Sequence, residues 1–231
     1  GGVMRNRLKM MPLRPARIAL LIASLFPFSV GASSVRVDFV TGPVSATNAA
    51  GVVRPLERGA ELIAGDVVRT GSGRAQLRFS DGALVSLQPE TDYRIDDYRY
   101  SGQADGQEKG FFSLLKGGLR TITGWVGRVN RETYRVTTSV ATIGIRGTEF
   151  TARLSPAGDE LHVGTGEGAV EVCGAGGCLV LAAGEYGIVR GDGAPERTDF
   201  PPALSVVPAP GSTLPVYSWV EARDAQGKPD K

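Results

Sequence analysis

The chain has 231 residues, 42% hydrophobic and 22% charged, which is enough for one all-β domain or two small ones. Its 32 glycines favour many short strands over long helices. The formal net charge of +2 is uneven: residues 1–32 hold Arg5, Arg7, Lys9, Arg14 and Arg17 and no acid, and without them 21 bases face 24 acids. A mildly acidic body argues against nucleic acid and against an anionic membrane surface as partners.

Residues 1–32 read as a secretory signal peptide. Behind the basic start comes an apolar run from Ile18 to Val30, and Val30-Gly31-Ala32 offers a cleavage site after Ala32. The run falls short of the roughly 20 residues of a comfortable span, although an uncleaved anchor is the alternative. The expected destination is a bacterial periplasm, with no stable membrane insertion once the signal is cut.

Residues 33–190 read as one β domain. Val35–Val40 alternates as a first strand. A small-residue tip, Asn48-Ala49-Ala50-Gly51, predicts a hairpin running into Val52–Pro55. Leu62–Val68 is an apolar run interrupted by a Gly65-Asp66 turn. Ala75, Leu77 and Phe79 alternate with Gln76 and Arg78, Ser80-Asp81-Gly82 turns the chain, and Leu84–Leu87 returns. Asp81 is a turn former on this reading. The hairpin recurs at an offset of 95, since Thr70, Gly71, Gly73, Gly82, Leu84 and Val85 match Thr165, Gly166, Gly168, Gly177, Leu179 and Val180.

Asp92–Tyr100 alternates poorly and carries mixed charge, so an edge strand with a solvated face is expected there, which would expose Tyr98 and Tyr100. Gly102–Gly110 is a polar loop. Trp125, flanked by Gly124 and Gly127 with Arg128 and Arg131 behind it, is either a core anchor or a surface that stacks on a sugar or peptide.

Tyr134–Phe150 is β-branched and free of proline, as a central strand should be. Ile143 and Ile145 share a face. A β-bulge at Gly147 would let Thr148 and Phe150 join them, leaving Arg146 pointing outward between Gly144 and Gly147. Arg146 then either offers its guanidinium fork to a partner or ties the strand to its own neighbour.

The run Val140–Phe150, with Ile145-Arg146-Gly147-Thr148-Glu149-Phe150 at its end, resembles the signature of the FecR domain, although Ser139 stands where the family usually has proline. Gly65-Asp66-Val67-Val68-Arg69-Thr70 followed by Ala75–Gly82, and Gly117-Gly118-Leu119-Arg120, are similar to further family blocks. The resemblance spans roughly residues 60 to 155. It implies a periplasmic sandwich or solenoid-like domain of many short strands, from regulators that pass a transporter's signal to a sigma factor. Only 17 residues precede the apolar run, too few for a sigma-binding domain. A stand-alone periplasmic protein binding an envelope protein or polysaccharide is therefore expected. A transmembrane regulator of sigma-factor signalling and iron uptake, and an envelope assembly protein accepting partner strands, are the alternatives.

Cys173 and Cys178 flank a Gly174–Gly177 tip between two strands, a spacing that brings their Cβ atoms together and predicts a disulfide. Residues 191–231 form a proline-rich extended tail. No catalytic constellation, cofactor or metal site is expected. His162 is the single histidine, and the carboxylate pairs Asp96-Asp97 and Asp159-Glu160 are adjacent in sequence rather than convergent. The expected division of labour makes Arg146 a fold determinant that satisfies buried acceptors, with binding at Tyr98, Tyr100 and Trp125.

Overall fold

The computed structural model describes residues 1–2 and 34–202, apart from Asn130 and Thr148. The predicted signal peptide and most of the tail lie outside that range. The first half of the described chain runs β1 (Val35–Thr41), β2 (Ser45–Thr47), β3 (Val53–Pro55), β4 (Glu61–Leu62), β5 (Val67–Arg69), β6 (Arg74–Phe79), β7 (Leu84–Leu87), β8 (Asp92–Arg99), β9 (Lys109–Lys116) and β10 (Gly118–Ile122). A short helix α1 (Trp125–Val129) and a 3-10 turn (Arg131–Thr133) follow. Then come β11 (Tyr134–Thr137), β12 (Ala141–Ile145), β13 (Glu149–Leu154), β14 (Glu160–Glu167), β15 (Ala169–Gly174), β16 (Gly177–Ala182), β17 (Tyr186–Arg190) and β18 (Glu196–Thr198).

The strands form two nine-stranded sheets. The first is ordered β4-β1-β6-β7-β10-β13-β14-β17-β18 and the second β3-β2-β5-β8-β9-β11-β12-β15-β16. Apart from one inversion at the amino-terminal edge of each, both orders rise with sequence. The chain zigzags between the sheets, usually two strands per visit, and advances along the sandwich as it goes. Solenoid-like and sandwich are thus both apt descriptions. The inner faces meet in one core that includes Leu77, Ile95, Leu114, Leu119, Ile143, Phe150, Leu161 and Leu181.

The amino-terminal strands β1, β4 and β5 enter their sheets singly, and from β6 onward one visit breaks the rhythm of two. After β9 the chain spends a single strand, β10, in the first sheet, and α1 with its 3-10 turn carries it back. One strand instead of two reverses the direction of return. Hence β11 lies parallel to β9, while the other registered pairs of the described strands are antiparallel. The helix occupies the place where a strand would have been.

The predicted hairpin at 75–87 is β6–β7, with Ala75, Leu77, Phe79, Val85 and Leu87 buried. The offset of 95 carries β6 onto β15 and places β7 within β16. The two hairpins lie in opposite sheets.

Three expectations need correction. Asp92–Arg99 is not an edge: β8 pairs with β5 on one side and β9 on the other. A register shift between Ile95 and Asp97 hides its alternation, although Tyr93 and Ile95 are fully buried. The signature does not pass through a bulge within one strand. β12 belongs to the second sheet and β13 to the first, so Arg146-Gly147 is a corner where the chain changes sheet. Ile143, Ile145 and Phe150 still face one core, because both sheets enclose it. Finally, the sheet continues past residue 190, where β18 closes the first sheet inside the predicted tail.

Candidate functional site

The strand ends form two long rims, and one of them carries α1 and the signature corner. Asp81, at the tip of β6–β7, organises this rim. Its Oδ1 accepts the Ala83 amide at 3.1 Å, as a turn former does. Its Oδ2 accepts the Val126 amide at 3.0 Å, and its carbonyl accepts the Trp125 amide at 3.0 Å. The carboxylate therefore caps α1 from another element and satisfies amides that a helix start leaves open.

Below α1 lies an aromatic cluster. The Phe112 ring centre is 5.3 Å from Phe79, 5.8 Å from Tyr93, 6.5 Å from Tyr98 and 5.6 Å from Tyr134. Gly127 sits directly on Ile145 and Thr123, where a Cβ would collide with both side chains. Thr123 Oγ1 donates to the Gly147 carbonyl at 3.4 Å. The helix and the signature corner are thus one assembly. It buries Val126 and leaves Trp125 44% and Val129 42% exposed.

The signature residues divide into two kinds. Phe150 is fully buried. Glu149 pairs with Arg120 on the neighbouring β10, with only 14% and 18% of their side chains exposed, which joins two of the blocks singled out in the sequence. Gly147 abuts the backbone of the Glu167–Ala169 turn, and a Cβ there would overlap Gly168 and the Ala169 amide. Gly144 faces outward in β12, opposite Arg135 and Glu171. Thr148 lies outside the described residues.

Arg146 differs. Its side chain is 53% exposed, and its bond is a 3.4 Å contact to Glu171 Oε1 on adjacent β15. It ties the sheet to its neighbour, but no buried acceptor depends on it. An exposed pair of this kind contributes about 0–1 kcal/mol, well short of the fold-determining role expected of it.

Tyr98 is half-buried, with its ring edge-on to Phe79 at 5.0 Å. Its hydroxyl accepts the Asp81 amide at 3.0 Å and lies 3.2 Å from Ser80 Oγ. Burial pushes this hydroxyl well above the usual tyrosine range. Tyr98 therefore supports the hairpin tip. Tyr100 is half-buried at the end of β8. Of the three aromatic residues proposed as a partner surface, Trp125 is the one classed as exposed.

Cys173 and Cys178 form the predicted disulfide, opposite one another across β15–β16 with Cα atoms 4.0 Å apart. So short a loop gives about 2 kcal/mol on a chain-entropy account. The free edge of β16 is partly closed. Arg197 Nη2 donates to the Val180 carbonyl at 2.9 Å, Glu185 Oε2 accepts the Ala182 amide at 2.7 Å, and the two side chains pair with each other. Groups that a foreign strand would need are thus already bonded.

The residues weighed for catalysis are tied into ion pairs and hydrogen bonds with near neighbours. His162 Nε2 lies 2.6 Å from Glu160 Oε1, and Glu160 also accepts from Arg190 at 2.9 Å. The hydrogen bond from His162, with Arg190 helping, holds the Glu160 carboxyl below its usual range. Asp96 pairs with Arg94 and accepts from Ser113, Asp97 pairs with Lys109, and Asp159 accepts from Ser155. Among the described residues no three His, Cys, Asp or Glu side chains approach as a metal site would require.

Sequence reasoning missed one centre. Asp66 has a fully buried side chain. Its carboxylate receives Arg54 on both oxygens, at 3.1 and 2.6 Å, and the Ile63 amide at 2.9 Å. The only signal was the Asp in Gly65-Asp66, which reads as an ordinary turn.

Residues 66–171 match the family model described as FecR protein. A search of curated proteins returns no match. Among solved structures, two crystal structures, at 2.50 and 1.65 Å, are described provisionally as an anti-sigma factor from Parabacteroides distasonis. They are 20% and 19% identical to this chain, with a TM-score of 0.43 in each case. The aligned part covers 55% of this chain and 56% of theirs, so the chain spans little more than half the length of those neighbours. The family match begins at the buried Asp66 and ends in β15, and strands on both sides of it complete the same two sheets. Residues 66–171 of this chain therefore match the FecR family, in line with the signature read in the sequence.

Proposed function

We propose that this protein is a non-enzymatic interaction module of the bacterial cell envelope, exported to the periplasm, which relays a signal by binding an envelope protein or polysaccharide. The observation that carries this reading is the division within the FecR segment. Glu149, Gly147, Phe150 and Asp66 are absorbed by the fold, whereas the α1 rim presents Trp125 and Arg146 to solvent on a rigid support. Exposed aromatic and arginine side chains on a fixed scaffold are what recognition surfaces use. The basic, apolar sequence of residues 1–32 supports export. The partly closed β16 edge favours side-chain recognition over strand addition there.

The test is deletion of the gene in the cell that carries it, with complementation by the full chain and by a form lacking residues 1–32. Transcript profiling should show a confined set of genes that respond to the deletion and are restored only by the exported form. An unchanged profile, or equal rescue by the form that stays inside, overturns the proposal.

A further inference from the structure

We infer that the partner docks on the α1 rim through an acidic segment that also carries apolar side chains. This inference rests on the interaction-module reading above and adds the partner's chemistry. Across most of the sandwich, arginine is matched by a neighbouring carboxylate: Arg36 with Glu61, Arg54 with Asp66, Arg69 with Asp92, Arg78 with Asp38, Arg120 with Glu149. Arg58 and Arg153 are exceptions elsewhere, but three exceptions gather where a helix replaces a strand. Among the described residues, Arg128, Arg131 and Arg135 have no carboxylate within ion-pair distance, and all three are exposed.

Their placement joins charge to apolar surface. Trp125 and Val129 stand one turn apart on α1, and Arg128 is three residues from Trp125, so these side chains adjoin. Arg131 begins the 3-10 turn. Arg135 extends the patch onto the outer face of the second sheet, with its guanidinium 5.2 Å from the centre of the Phe111 ring. Glu132 lies in the same turn and is exposed, leaving the patch net positive. Asp81, at the start of the helix, accepts the amides it caps and forms no ion pair with these arginines. On a body whose net charge is negative once residues 1–32 are set aside, this local positive patch steers acidic partners toward the rim.

The experiment titrates the full chain against a fluorescein-labelled 12-residue peptide alternating Glu or Asp with Leu and Phe. The same peptide with Lys in place of every acid serves as control. The acidic peptide should bind saturably, and its affinity should fall steeply as salt rises from about 0.05 to about 0.5 M, because exposed charges are screened. The triple change Arg128→Glu, Arg131→Glu, Arg135→Glu should weaken binding at least about tenfold, and Trp125→Ala about threefold or more. Arg58→Glu, an exposed arginine elsewhere, should leave binding unchanged, and all variants should keep their far-ultraviolet circular dichroism. Equal binding of the lysine peptide, an equal loss with Arg58→Glu, or tighter binding to anionic vesicles than to the peptide each overturns the inference. If the peptide fails to bind while the transcript response to deletion stands, the module reading survives and its surface lies elsewhere. If the peptide binds but the transcript response is absent, the signalling reading falls and the docking site stands.

Discussion

Asp66 and the α1 rim carry charge under opposite conditions. At Asp66 a carboxylate with no exposed side-chain surface is held on both oxygens by Arg54 and by a backbone amide. At the rim, three arginines face water with no carboxylate within ion-pair distance among the described residues. A buried charge without a partner costs several kcal/mol, so the fold tolerates Asp66 only because Arg54 is there. A charge in water costs almost nothing to leave unpaired, so its neighbours place little constraint on it. The contrast separates residues the structure needs from residues it merely displays.

The sharpest way to break this comparison is at Asp66. Asp66→Ala strands the Arg54 guanidinium beside a vacated pocket and orphans the Ile63 amide, and should lower stability by about 3 kcal/mol. Urea denaturation followed by fluorescence measures this. A midpoint close to that of the parent protein would mean that the buried pair is not a structural centre.

Gly147→Ala tests whether the signature corner belongs to the structural class. Its Cβ would meet the backbone of Gly168 and Ala169 rather than a flexible side chain, so relief requires moving a turn. A loss of about 1–3 kcal/mol is expected, read as a shift of the same midpoint. Tolerance of alanine would show that the two turns part easily.

Arg146→Ala should have the smallest effect, below about 1 kcal/mol, because one long contact to Glu171 is all it loses. A melting temperature within about two degrees of the parent, by calorimetry, places Arg146 with the displayed residues. A large fall would return it to the structural class.

How much of this was legible beforehand follows from how local each feature is. The β6–β7 hairpin could be read because its period of two and its Asp-Gly turn sit within a dozen or so residues. β8 could not, because the extra residue near Asp96 shifts the register and hides the alternation on which such a reading depends. The inward placement of Ile143, Ile145 and Phe150 was read correctly but for the wrong reason. A bulge and a change of sheet leave the same local pattern, and only the partners of β12 and β13 tell them apart. Arg54–Asp66 and Arg120–Glu149 were invisible because each joins segments that the sequence keeps apart. The disulfide was visible because both cysteines flank one tip.

The ascending order of strands in both sheets also bears on how the molecule is made. No registered pair lies farther apart in sequence than Val35 and Phe79, so few long loops must close before pairing begins. A chain delivered amino end first finds a partner for each new strand among those that have just arrived, and β1 waits longest, until β4 emerges and then β6 on its other side. The growing end always presents one open edge per sheet for the next hairpin. Adding or deleting one hairpin from each sheet would lengthen or shorten the ribbon without rethreading any part of it, so length in this architecture can change by whole increments while the connections on either side stay as they are.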